Sequence, residues 1–279
     1  MSTKGFFTDT TLCIGCKACE VACKQWNQLP DDGLVFTGRS YDNTGALGAL
    51  TWRHVAFVER TTAPAAGHGG CHSQAEAGGP KGGPDQLSWL LMSDVCKHCE
   101  RAGCLEACPT GAITRTELGS VYIQPDICNG CGYCVPACPF GVVDRMEGDG
   151  RASKCTLCYD RLKDDMEPAC AKACPTDSIL FGDLDELRQK AAARVEELHA
   201  RGVEQAYLYG QDAASQPGTE GLHAFFLLLD APEVYNLPPD PVVPTKRARV
   251  AWASMALAGI AMGAAALMAA AAGRHGVFS

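Results

Sequence analysis

The 279-residue chain lacks every short motif that marks a site of bond-making chemistry. It has no P-loop, no G-x-G-x-x-G after a strand, no G-x-S-x-G and no H-E-x-x-H. Positive charge is also scarce. The 24 Lys and Arg stand against 32 Asp and Glu, a formal net charge of −8, which excludes a basic nucleic-acid surface as the main function. Charged residues make up only 20% of the chain and hydrophobic residues 47%, so global disorder is excluded too. Residues 1–10 show neither the basic start nor the apolar run of a secretory signal. Cysteine is the residue in excess, with 17 copies, too many for an ordinary cytosolic enzyme.

Sixteen of them fall into four groups. Cys13, Cys16, Cys19 and Cys23 read C-x2-C-x2-C-x3-C, and Cys128, Cys131, Cys134 and Cys138 repeat that spacing. Cys96, Cys99, Cys104 and Cys108 read C-x2-C-x4-C-x3-C, while Cys155, Cys158, Cys170 and Cys174 have a wide middle gap. Neighbouring thiols this close seldom reach disulfide geometry. Structural zinc prefers two C-x2-C knuckles far apart, closing a tetrahedron on one ion. A compact triplet instead wraps three corners of a cube, and the fourth cysteine, followed by proline, reaches a second cluster. Cys108-Pro109, Cys138-Pro139 and Cys174-Pro175 have that ending; Cys23, followed by Lys24, departs from it. The spacing predicts four [4Fe–4S] clusters, with a zinc-binding scaffold as the rival from a different class.

Crossed ligation predicts the pairing. The adjacent second and third groups form an inner pair, one cluster on Cys96, Cys99, Cys104 and Cys138, the other on Cys128, Cys131, Cys134 and Cys108. The outer pair is then Cys13, Cys16, Cys19 and Cys174, with Cys155, Cys158, Cys170 and Cys23. Pairing of group one with group two is the alternative. Lys17, Lys97, Lys154 and Lys172 lie in or beside the groups and either tune potentials or are plain surface lysines; Lys172, framed by two ligands, is the preferred candidate. Cys71 with His68 and His72 is read as an incidental thiol in a glycine-rich loop rather than a metal trio. His54, His98, His199, His223 and His275 are read as packing or surface residues, with a haem-ligand role for His275 the remote alternative.

The expected fold class is α+β: two ferredoxin-like dicluster units with a pseudo-two-fold relation, an inserted strand-containing segment, and one C-terminal transmembrane helix. The expected divisions are 1–182 with an insertion at 24–95, then 183–245, then 246–279. Within the insertion, residues 52–58 and 87–92 read as strands around a glycine-rich tract at 67–83. Residues 121–123 and 224–230 also read as strands. Asp183 caps a helix over 184–201, with Leu184, Leu187, Ala191, Val195 and Leu198 on one face and Gly202 as its stop. The prolines of residues 237–244 predict a stiff, extended linker. Residues 250–272 carry no charge and are long enough to cross a membrane, although twelve are alanine. A buried, alanine-rich helix is the competing reading. Gly259 and Gly263 form a G-x-x-x-G that would admit a close helix partner. Lys246, Arg247 and Arg249 before the span, against Arg274 after it, put the cluster region in the cytoplasm by the positive-inside rule.

The chain resembles the iron–sulfur (beta) subunit of respiratory, membrane-bound formate dehydrogenase. The resemblance is carried by Phe7-Thr8-Asp9-Thr10-Thr11-Leu12-Cys13-Ile14-Gly15-Cys16-Lys17-Ala18-Cys19 and by Cys170-Ala171-Lys172-Ala173-Cys174-Pro175-Thr176. Gly218-Thr219-Glu220-Gly221-Leu222-His223 and Asn236-Leu237-Pro238-Pro239-Asp240-Pro241 extend it to the span. Electron-transfer subunits of other molybdopterin oxidoreductases and of some hydrogenases share the cysteine groups and are the nearest alternative. The resemblance implies a catalytic partner holding molybdenum or tungsten bis-pterin, and a quinone-reducing membrane subunit of cytochrome b or haem-free type. It also implies a cluster region on the extracytoplasmic side, carried across on the partner's signal.

Overall fold

Near the start of the chain lies a strand that the sequence pattern does not announce. The structure, a computed structural model, describes residues 2–33, 36, 38, 41–62 and 86–275. Strand β1 (Lys4–Asp9) buries Phe6, Phe7, Thr8 and Asp9 in succession, so no polar alternation reveals it. Next come α1 (Ala18–Trp26), the hairpin β2 (Arg53–Thr62) and β3 (Gln86–Val95), and the single turn α2 (Gly103–Glu106). Strands β4 (Ile113–Arg115) and β5 (Val121–Ile123), the turn α3 (Cys134–Ala137), and strands β6 (Asp144–Arg145) and β7 (Ala152–Ser153) follow. The remainder is α4 (Tyr159–Lys163), α5 (Ala169–Lys172), β8 (Ile179–Asp183), α6 (Leu184–Ala200), β9 (Tyr207–Tyr209), β10 (Ala224–Leu228) and α7 (Pro244–His275).

The main sheet has the order β8-β1-β10-β9. β1 runs parallel to β10 and antiparallel to β8, so strands more than 200 residues apart meet at its centre. The all-apolar run Ala224-Phe225-Phe226-Leu227-Leu228 suits that covered position, since every residue of β10 is buried. Phe7 stacks on Phe225 at 5.3 Å on the face that α6 covers with Leu187, Ala191 and Leu198. Each such phenylalanine or leucine side chain removed from water contributes about 1.5–3 kcal/mol. Phe6 points the opposite way, into a cluster with Cys19, Cys155 and Cys170. The sheet therefore separates a helix-covered apolar layer from a layer of cysteine loops.

α6 begins as its sequence requires: the Asp183 carboxylate accepts a hydrogen bond from the amide of Asp185 at 3.2 Å. The hairpin is longer than its apolar runs imply, because the ladder continues outward to Thr62 opposite Gln86. The proline-rich segment 237–244 is a correction. Instead of spanning free space it lies on the body, with Leu237 and Val243 buried and the Val243 amide donating to Gly218 at 3.3 Å. A Cβ on Gly218 would fall 2.0 Å from the Pro241 carbonyl, so only glycine permits that approach. Helix α7 then leaves the body. Its stretch Ala251–Ala269 has a mean hydropathy of 1.6 and none of it is buried, which removes the reading of a buried soluble helix. The glycine-rich tract with His68, Cys71 and His72 lies outside the described residues, as does the side chain of His275.

Candidate metal centres

The first C-x2-C turn of each of the four groups shares one backbone device. The residue before the second cysteine is left-handed in each: Gly15 at φ 68°, His98 at 43°, Gly130 at 73° and Leu157 at 62°. That conformation curls the chain so that amides turn toward the sulfurs, as where the Leu157 amide donates to Cys155 Sγ at 3.3 Å. Glycine makes the turn easy at positions 15 and 130. At His98 and Leu157 the tertiary structure imposes it, so sequence alone does not show the equivalence.

These turns gather the cysteines across the chain. Cys13, Cys16, Cys19 and Cys174 line one cavity, closed by Val55 and Ile179. Cys96, Cys99, Cys104 and Cys138 line a second, closed by Val121 and Phe140. Cys134 feels the charge of Cys128, Cys108 and Cys131, and Cys23 that of Cys155, Cys170 and Cys158. The sets also follow one another in series through charge. Cys19 is in electrostatic reach of Cys170, Cys155 of Cys96, and Cys104 of Cys134. Cys16 and Cys131, in the two end sets, are the exposed ones.

Burial pushes these thiols upward: Cys19, Cys134 and Cys158 to about 11 and Cys104 to about 12, with neighbouring cysteines adding to the rise. Such sulfurs bind as thiolates only if a cationic core enters with them, and that donor set suits a thiolate-ligated cluster. Cys108 moves the other way: burial would raise it, but the Thr110 hydroxyl and the amides of Ile113, Thr110 and Ala112 bring it below its usual value. Thr176 Oγ1 lies 3.8 Å from Cys174 Sγ, the same local contact in the second Cys-Pro-Thr ending. Among the described residues no three His, Cys, Asp or Glu side chains converge closely enough for a single metal ion, the geometry a zinc site needs.

The lysines divide. Lys97 is buried against Asp94 and beneath the rings of Phe140 and Phe226, each 5.3 Å away. Lys154 is buried on the carbonyls of Val121 and Cys155. Lys17 is partly exposed near Glu20 and Asp42, and Lys172 is exposed on a groove beside Trp26. Sequence reasoning missed Arg53 and Ser93 of the insertion, which reach Cys170 and Cys19. Their trace in the sequence was an arginine at the head of the largely apolar run 52–58.

The buried thiols, the repeated turns and the serial arrangement define an iron–sulfur protein built for electron transfer. Comparison narrows this. A family model for a 4Fe-4S dicluster domain matches residues 87–184, and one for a 4Fe-4S binding domain matches residues 10–26. The chain is 41% identical over 241 residues to the nitrate-inducible formate dehydrogenase iron-sulfur subunit of Escherichia coli, covering 85% of this chain and 73% of that one. It is 40% identical over 239 residues to the formate dehydrogenase iron-sulfur subunit of Haemophilus influenzae, covering 84% and 68%. A polypeptide of the anaerobic dimethyl sulfoxide reductase of E. coli is 34% identical over 186 residues, covering 67% and 76%. The chain belongs to the formate dehydrogenase iron–sulfur subunits, and it is an electron-transfer subunit carrying 4Fe-4S clusters.

Proposed function

We propose that the chain relays electrons through four [4Fe–4S] centres in spatial order. The order is Cys13/Cys16/Cys19/Cys174, then Cys155/Cys158/Cys170/Cys23, then Cys96/Cys99/Cys104/Cys138, then Cys128/Cys131/Cys134/Cys108. The observation that carries this reading is the gathering of cysteines from distant groups around shared cavities, with neighbouring sets in electrostatic reach of one another between two exposed ends. When bound, each cluster supplies a one-electron acceptor and donor. The chain's residues fix the ligands, exclude water with apolar walls and set local charge. The repeated left-handed turns and the two Cys-Pro-Thr endings favour two ferredoxin-like dicluster units related by a pseudo-two-fold, within residues 1–182. Residues 183–245 complete the sheet, and 246–279 form a single-pass membrane anchor.

The catalytic partner, a molybdenum or tungsten bis-pterin formate dehydrogenase subunit, docks at the first set, where Leu12, Ile14 and Val21 expose apolar surface around Cys16. The other end faces the membrane. The base of α7 is held there by Lys246 on Glu220 at 3.1 Å and by Val243 packed near Gly103, beside the third and fourth sets in the series. A quinone-reducing membrane subunit takes electrons from that end, with the cluster region on the extracytoplasmic side. Iron and sulfide analysis of anaerobically purified chain should give about sixteen irons; zinc with negligible iron overturns the reading. A Cys108→Ser variant should perturb the centre held by Cys128, Cys131 and Cys134, and a change confined to the Cys96 set would refute the crossed ligation.

A further inference from the structure

We propose that Arg53, working through Ser93, is a buried electrostatic clamp that raises the reduction potentials of the two outer centres together. This rests on the four-centre reading. Arg53 lies on β2, and Ser93 lies on β3 directly opposite Val55. Arg53 is 1% exposed. One terminal nitrogen donates to Cys170 Sγ at 3.3 Å, and the other donates to the Ser93 hydroxyl and carbonyl, each at 3.3 Å. The Ser93 hydroxyl stands 3.2 Å from Cys19 Sγ. A ligated thiolate can only accept, so the hydroxyl donates to Cys19 while its lone pair receives Arg53. One cation thereby reaches a ligand in each of two cysteine sets.

The charge has no other owner. Among the described residues no carboxylate lies at ion-pair distance from Arg53. The ring of Phe6, 4.8 Å from the guanidinium, supplies only a π face, and Nε is buried without a hydrogen-bond partner. By contrast the buried Lys97 is neutralised by Asp94. A lone buried cation is costly unless an anion is close, and the anions at hand are Cys170, Cys19, Cys155 and Cys23. A thiolate-ligated cluster carries about −2 when oxidised and about −3 when reduced, so a fixed cation beside it favours the reduced state. Hydrogen bonds to ligand sulfur act in the same direction. The 24–95 insertion thus has a role: it plants one charge between two centres, so that their potentials move together and neither becomes a trap.

The test is an EPR-monitored redox titration of the full chain, purified anaerobically with the partners that accompany it. Wild type comes first. Fewer than four centres there would overturn the relay reading itself, separately from the clamp. In Arg53→Met, two midpoint potentials should fall by about a ten-fold change in equilibrium, 59 mV for one electron, while two stay fixed. Arg53→Lys, which keeps the charge, should recover most of the shift, a result that mere loss of packing would not give. Unmoved potentials at full iron content, or an equal shift of all four, overturn the clamp. Where Arg53→Met loses iron, Ser93→Ala decides: one potential falls and three hold if the hydroxyl relays the charge, and no change refutes it.

Discussion

The Asp9 carboxylate ties the sheet to the first cysteine loop, and its removal gives the most quantitative test of the fold. Asp9 is 2% exposed at the end of β1. One oxygen accepts from the Thr11 amide at 2.9 Å and the Thr11 hydroxyl at 2.6 Å; the other accepts from Arg194 Nε on α6 at 2.9 Å. Arg194 also donates to the Thr11 hydroxyl at 3.1 Å, so strand, helix and loop share one network. Breaking a fully buried pair from one side costs about 3–5 kcal/mol. Arg194 is one-fifth exposed and keeps Glu197 at 2.8 Å, so Asp9→Ala belongs near the lower bound, about 3 kcal/mol. For a domain of this size that is roughly a 6–12 °C drop in melting midpoint. Thermal melts of anaerobic protein measure it, and iron analysis should show loss from the first set, because the Thr11 turn feeds Cys13. Arg194→Met alone should also destabilise, and the double variant should cost less than the two added. A shift below about 2 °C with iron retained would refute the network as a support of the site.

Other expectations follow from single contacts. A Cβ on Gly103 would fall 2.3 Å from the Ala137 carbonyl, so Gly103→Ala should force α2 and α3 apart, cost about 1–3 kcal/mol and lower iron content, as assayed colorimetrically. Burial holds the His223 imidazole below its usual range, and the hydrogen bond from His223 holds the Glu100 carboxyl below its own. Both groups bind protons more readily when unfolded, so stability should be full above about pH 6.5 and fall with acid, first through the histidine and then, below about pH 4.5, through the glutamate. His223→Gln should flatten the upper part of that fall in melts between pH 7 and pH 5; an unchanged slope would refute the assignment. Ile260→Arg, at the middle of the apolar stretch, should cost about 3 kcal/mol of insertion and move the separately expressed chain toward the soluble fraction without changing its iron content. Full retention in membranes would argue against an anchoring role for α7.

The sequence by itself determined what lies within a few residues. Cysteine spacing is local, so the four loops and their chemistry can be read without a fold, and the same holds for the Asp183 cap and for the uncharged length of α7. Tertiary structure decided what depends on distant partners. β1 is a central strand because β10, some 220 residues on, pairs with it. Residues 237–244 pack on the body because Gly218 leaves room for Pro241, a fit that proline content cannot reveal. Lys172 shares its loop with two cysteines yet faces solvent, whereas Arg53, 117 residues from Cys170, is the cation that reaches a sulfur. The physical reason is that ligand spacing is written along the chain. The field around the ligands is set by whichever side chains the fold buries beside them.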